Sequence, residues 1–150
     1  MAVFNVSIKD YDIAFQIANM INLYNKWGKR FTADTILSSQ ASYFIELYGN
    51  KVVGCASSVR EFQTLSKIQH VCVLPEYRKS GIAVKLMNLV INNCGTEYVY
   101  MTVREDNAAS LAMAKTMSFR YVQKSWYRDH WTYVLTRRCD AVPNQDERRL

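Results

Sequence analysis

The chain has 150 residues, 49% of them hydrophobic and 13% aromatic, with a formal net charge of +6. A chain of this size builds one core rather than two, and its apolar content offsets the entropy of ordering a compact fold; multidomain, collagen-like and disordered readings are excluded. Its apolar runs fall far short of the roughly 20 residues that cross a bilayer, and the opening Met1-Ala2-Val3-Phe4-Asn5 has no signal-peptide pattern, so the expected setting is cytoplasmic with no membrane partner.

The pattern Phe4 to Ile8 alternates like a half-buried strand, after which Asp10 or Asp12 can cap a helix carrying Ile13, Ile17, Met20, Ile21 and Tyr24 on one face. A polar connector from Asn25 to Thr32 leads to a shorter helix around Ile36 and Leu37, started by Thr32 or Asp34. Two β-rich runs, Ser42 to Tyr48 and Val52 to Phe62, flank Gly49-Asn50-Lys51, a composition suited to a tight hairpin. A third run, Lys67 to Leu74, ends at Pro75, and Ile82, Leu86, Leu89 and Val90 then mark a helix to about Asn93. Thr96 to Val103 reads as a strand, Asn107 opens a helix through Met117, and two strands, Phe119 to Gln123 and Trp131 to Thr136, close the domain. The order β, α, α, β, β, β, α, β, α, β, β predicts an α+β fold with a mostly antiparallel sheet, a parallel pair around the third helix, and helices on its faces. One domain over 1–136 and a tail over 137–150, charged and aperiodic, complete the prediction.

Cys55, Cys72, Cys94 and Cys139 are too few and too widely spaced for a disulfide scaffold. Neither a Cys-x-x-Cys pair nor clustered histidines offer a metal site, so free, mostly buried thiols and no metal are expected. The basic balance attracts any anionic partner and selects none.

The chemistry concentrates in Val71-Cys-Val-Leu-Pro-Glu-Tyr-Arg-Lys-Ser-Gly-Ile-Ala-Val-Lys-Leu86, a strand, a tight turn and the start of an amphipathic helix. A turn of small and basic residues at a helix start offers free backbone N–H groups and the positive end of the helix dipole, which suit a phosphate or pyrophosphate. Gly81 removes the Cβ that would keep such a ligand away.

This stretch resembles the GNAT superfamily of acyl-coenzyme A dependent N-acyltransferases, whose coenzyme loop reads Gln or Arg, two residues, Gly, one residue, Gly or Ala. Arg78-Lys79-Ser80-Gly81-Ile82-Ala83 fits every fixed position, and Val103 to Leu111 with Met117-Ser118-Phe119 resembles the family's later strand and helix. The resemblance implies the GNAT fold and an N-acetyltransferase using acetyl-CoA on a primary amine of unidentified acceptor. It further implies that coenzyme A lies between two diverging strands. Main-chain groups at Val71 and Val73 would take the pantetheine arm, the amides of Arg78, Lys79, Ser80, Gly81, Ile82 and Ala83 the pyrophosphate, and Asn107 would help hold the arm. A homodimer through a sheet edge or the last strands also fits the family.

Three positions depart from the family. Ser118 replaces the Gly before Phe119, Ala114 stands where many members carry the Tyr that protonates the leaving thiolate, and Lys67, Gln69 and His70 occupy a stretch that often holds a carboxylate. An alkylamine with a pKa near 10.4 is neutral in only about one molecule in 2,500 at pH 7, so a base is useful. By residue type the candidates are His70, Glu61 acting through water, and a tyrosine hydroxyl from Tyr127, Tyr100 or Tyr133. Each has an ordinary packing or surface role as its alternative. Lys115 to Arg138 holds six basic residues against one acidic, interleaved with aromatics. That mixture suits nucleic-acid contacts, and hence a nucleobase or aminoacyl-tRNA acceptor, but two amphipathic strands with charged outer faces account for it better. A coenzyme-binding protein without turnover is the other reading.

Overall fold

A computed structural model of the chain describes residues 10–24 and 29–139. The strand expected over Phe4 to Ile8, part of the connector and most of the expected tail lie outside the described residues.

Helix α1 (Tyr11–Tyr24) is capped by Asp10, whose Oδ1 accepts the Ile13 N–H at 3.1 Å. Helix α2 (Ala33–Leu37) begins at Thr32 in a reciprocal capping box with Thr35. Strands β1 (Ser42–Tyr48) and β2 (Lys51–Phe62) form the expected hairpin, joined by Gly49 and Asn50, with the positive φ of 61° at Gly49. Strand β3 (Leu65–Val73) follows, then a single 3-10 turn and α3 (Ile82–Asn93). Strand β4 (Tyr98–Arg104), helix α4 (Ala108–Thr116), and strands β5 (Arg120–Tyr127) and β6 (His130–Arg138) complete the described chain.

The six strands form one sheet in the order β1-β2-β3-β4-β6-β5, in which only β3 and β4 run parallel. Alternation along the strands supplies two cores. Phe44, Val53, Ala56 and Ile68 face α3 and α4, meeting Leu86, Met87, Val90 and Ala114, while Tyr43, Ile45, Val52 and Cys55 face α1 and α2, meeting Ile13, Ile17 and Ile21. The mixed α+β fold expected from the element order is the one observed.

Several boundaries shift. Strand β6 runs to Arg138 rather than 136, and Cys139 behind it is buried in the α3 side of the core, so the fold extends into the segment expected to be tail. Cys139 sits against the half-buried Cys94 with the two sulfurs 3.3 Å apart. Strand β5 also departs from expectation. It is an edge strand with seven of its eight residues exposed and one half-buried, not an amphipathic strand with one buried face.

Two small residues decide how closely elements pack. A Cβ at Gly54 of β2 would meet Ile82 Cγ2 at 2.9 Å and Leu86 Cδ1 at 3.1 Å, so the bare backbone at Gly54 is what seats α3 on the sheet. At the end of α4, the Phe119 N–H bonds to Ala114 O and the Ser118 N–H to Lys115 O, a Schellman ending in which Ser118 takes φ 66°. Serine there bears the left-handed strain that glycine avoids.

Both sites give stability tests by thermal unfolding. Overpacking by Gly54→Val should cost about 1–3 kcal/mol, with a fall of about 2–4 °C per kcal/mol. Ser118→Gly should instead raise the melting temperature, by the equivalent of about 1 kcal/mol.

Candidate functional site

The parallel pair is short. Strands β3 and β4 register at Leu65 with Tyr98, Ser66 with Val99 and Lys67 with Tyr100, and beyond Lys67 no pairing joins them. Strand β3 instead follows β2 to its end, where the Leu74 N–H still bonds to Val53 O at 2.9 Å. Strand β4 follows β6 over its full length, up to Arg104 opposite Thr132. The two central strands are therefore held by different neighbours, and a cleft of about 590 Å³ opens between them.

A β-bulge sits on the wall of this cleft. The register passes from Cys55 opposite Cys72 to Ser57 opposite Gln69, leaving Ala56 to face both His70 and Val71. His70 takes φ 56°, a conformation rare for a residue with a side chain and common at functional sites when neighbours enforce it. Those neighbours are visible. Tyr43, buried on β1, shares a hydrogen bond of 2.9 Å with His70 Nδ1, and Phe31 sits edge-on to the ring at 4.7 Å. Phe31 is itself fixed by Asn22 of α1, which bonds to both its N–H and its carbonyl at 2.8 Å.

Burial, reinforced by the nearby ammonium groups of Lys67 and Lys29, lowers the His70 pKa to about 4. The imidazole is neutral at physiological pH and a weak base. Burial also raises the hydroxyl pKa of Tyr43 well above its ordinary value, so it stays a neutral phenol.

The cleft gathers some of the residues singled out from the sequence and not others. His70, Val71, Asn107 and Tyr127 line it. Glu61 does not. It accepts a hydrogen bond of 2.5 Å from Tyr100, and neither residue lines the cleft. Tyr133 stands on β6 with its hydroxyl 3.4 Å from Glu105 and does not line the cleft, leaving Tyr127 as the candidate tyrosine that does. Ala114 is buried within the α3–α4 core and offers no proton. The residues sequence reasoning missed are Tyr43 and Asn22, because what they do depends on contacts 9 to 27 positions away.

Behind β3 the chain turns into α3 through the Arg78–Ala83 segment. Lys79 and Gly81 both adopt positive φ, 62° and 81°, and Gly81 serves as N-cap without any side-chain cap on α3. The first helical N–H to find its carbonyl is that of Lys85, on Gly81 O at 3.0 Å, so the amides before it point out of the helix end. A Cβ built on Gly81 meets nothing within 4 Å. Arg78 turns back, its Nε donating to Val73 O at 3.1 Å while its guanidinium lies 5.2 Å from the Tyr24 ring centre. On the cleft lining Asn107 caps α4, its Oδ1 accepting the Ser110 N–H at 3.2 Å and leaving its amide N–H groups for a ligand.

Comparison with known proteins agrees with this geometry. The model of the acetyltransferase (GNAT) family matches residues 2–119. An N-alpha-acetyltransferase of Saccharolobus solfataricus is 27% identical, with 83% of this chain and 84% of that protein aligned. Two solved structures share the fold. The Salmonella typhimurium protein yncA with its cofactor acetyl-CoA has a TM-score of 0.75 at 17% identity, covering 95% of this chain and 96% of that one. An aminoglycoside 6′-N-acetyltransferase complexed with coenzyme A has a TM-score of 0.79 at 12% identity, covering 96% of this chain and 100% of that one. With the splayed strand pair, the bulge and the uncapped helix start in place, the family match over most of the chain decides the matter: this protein is an acyltransferase enzyme of the GNAT family.

Proposed function

We propose that the protein transfers an acetyl group from acetyl-CoA directly to a primary amine, with no covalent enzyme intermediate. The observation that carries this reading is the separation of β3 from β4, which opens a cleft with the bulge at His70 on its wall, while β3 leads on through a short turn into the uncapped start of α3. Acetyl-CoA supplies an activated thioester. Of the Arg78 to Ala83 amides expected to take its pyrophosphate, that of Arg78 is spent on Pro75 O at 3.3 Å, and those from Lys79 to Ala83 suit the role, since the open space over Gly81 admits a phosphate where a side chain would stand. Val71 and Val73 offer main-chain groups to the pantetheine arm, with Asn107 opposite. The Val73 carbonyl already accepts from Arg78, but a carbonyl has a second lone pair.

The transfer forms one C–N bond and breaks one C–S bond; the amine loses a proton and the thiolate gains one. No strong base is at hand, because His70 is held near pKa 4 and Glu61 is elsewhere. His70 is therefore suited to orient the amine or a water through Nε2. Nothing at position 114 protonates the leaving thiolate, which at a pKa around 8.5 leaves acceptably without help.

A weak base favours an acceptor that needs little deprotonation. An α-amine, with a pKa of about 7.7–8.0, is neutral in roughly one molecule in ten at pH 7, against about one in 2,500 for a lysine-like amine. The N-alpha-acetyltransferase among the relatives has the matching activity in its name. A peptide α-amine is accordingly the acceptor we put first. Positioning it beside the thioester contributes more than base catalysis here.

Two experiments test this. Acetyl-CoA at about 100 times its Kd should stabilise the fold by about 2.7 kcal/mol. Gly81→Glu should lose that shift, whereas Gly49→Glu, equally strained in backbone but remote on the β1–β2 hairpin, should keep it. Equal loss in both variants would remove the pyrophosphate assignment.

The pH profile tests the role of His70. As pH rises from 6 to 9, kcat/KM on a peptide should climb with the neutral fraction of its α-amine, bend near 8 and level off at about 9, because His70 is already deprotonated throughout that range. An inflection near 6.5 that disappears in His70→Gln would show instead that the imidazole titrates as the base.

A further inference from the structure

The cleft carries a charge the acetyl-transfer reading leaves unused. Its lining includes four cationic side chains, Lys29, Lys67, Arg104 and Arg128, and a single carboxylate, Asp106. That carboxylate is spent. Arg104 grips Asp106 with both Nε and Nη2, at 3.0 and 3.1 Å, so the pair is neutral as a unit. Lys29, Lys67 and Arg128 make no ion pair among the described residues; Lys29 and Arg128 rest over the Phe31 and Tyr127 rings at 5.7 and 5.4 Å. Asp129, beside Arg128, is bonded to His130 at 2.9 Å and does not line the cleft.

These charges are not spread at random. Lys29 lies on the loop that Asn22 pins through Phe31, Lys67 is the last paired residue of β3 before the cleft opens, and Arg128 sits at φ 56° in the turn between β5 and β6. They thus approach one opening from three separate elements. No residue of the Arg78–Ala83 segment lines the cleft, so the coenzyme's pyrophosphate, placed there, does not account for them. The bare amine does not account for them either, since a protonated amine is repelled by all three.

We infer that the acceptor carries an anionic group, a carboxylate or a phosphate, next to the amine it presents, and that Lys29, Lys67 and Arg128 select it. This rests on the acetyl-transfer reading and deepens it. The same positive field that draws the anion also favours the neutral form of the neighbouring amine, so specificity and readiness for attack come from one source. An exposed ion pair is worth up to about fivefold in affinity, so three of them together can set a preference of tenfold or more.

The test uses matched acceptors with release of the coenzyme thiol as the readout, at low salt. The peptide amides Ala-Glu-Glu-Gly, Ala-Gln-Gln-Gly and Ala-Lys-Lys-Gly vary the charge beside one α-amine, and O-phosphoethanolamine against ethanolamine tells a phosphate from a carboxylate. The acidic member of at least one set should exceed its neutral counterpart at least tenfold in kcat/KM, and the preference should shrink as salt rises. In Lys29→Glu/Lys67→Glu the order of the peptides should reverse, while thermal stabilisation by acetyl-CoA persists and shows the variant folded. Neutral acceptors used as well as acidic ones, or an order unchanged in the variant, would overturn the inference. So would failure to acetylate any acidic member by a protein that acetyl-CoA still stabilises. If acetyl-CoA gives no stabilisation at all, the acetyl-transfer reading fails first and the inference falls with it.

Discussion

Everything that matters for chemistry depends on β3 keeping faith with β2 while abandoning β4. Three residue pairs hold the parallel strands together at one end, and the antiparallel ladders on their outer sides then draw them apart. Parallel pairing is slightly weaker per residue than antiparallel, so a sheet with one parallel pair at its centre separates there at least cost. The bulge at His70 bends β3 at the point of parting. A regular β3 paired along its length to β4 would close the cleft.

The bulge in turn needs support, because a histidine at φ 56° does not persist unaided. Tyr43 anchors the ring from the buried face of β1, and Phe31 presses on it from a loop tied to α1. The α1–α2 layer is therefore more than a cover for the sheet. It holds the strained residue, shields part of its imidazole from water and so lowers its basicity. The other layer does the same service for the helix start: Gly54 lets α3 sit against β2, and that seating fixes the position of the uncapped amides that begin α3.

Local rules made most of the fold readable in the sequence. Thr32 and Asn107 are both N-caps, the Gly49 hairpin forms, α3 spans 82–93, and the parallel pair flanks α3 as the element order requires. The family resemblance was legible for a similar reason, because the six contiguous residues Arg78 to Ala83 fit the family's loop pattern. Legibility failed where distant residues decide. Strand alternation places His70 and Cys72 together on one face, but nothing local announces the bulge that puts His70 at positive φ. Glu61 read as a candidate base because its distance from the opening is a property of register. Tyr100 claims it across 39 positions. The exposure of β5 also lay beyond composition, since an edge strand becomes visible only when the sheet order is known.

The same reasoning bears on why a transferase works with so little acid–base equipment. Burial of His70 and absence of a hydroxyl at Ala114 each remove a proton-transfer partner that would speed attack on a basic amine. Both losses matter less as the amine becomes less basic, and both become small for an amine already partly neutral near pH 7. A cleft with three cations unpaired among the described residues would move the amine further in that direction, because a positive surround opposes protonation. On the proposed reading the proton problem falls to the electrostatics of the cleft walls and the choice of acceptor rather than to a dedicated base, and the neutral, immobilised His70 would have the task for which its contacts fit it, holding the acceptor in line with the thioester.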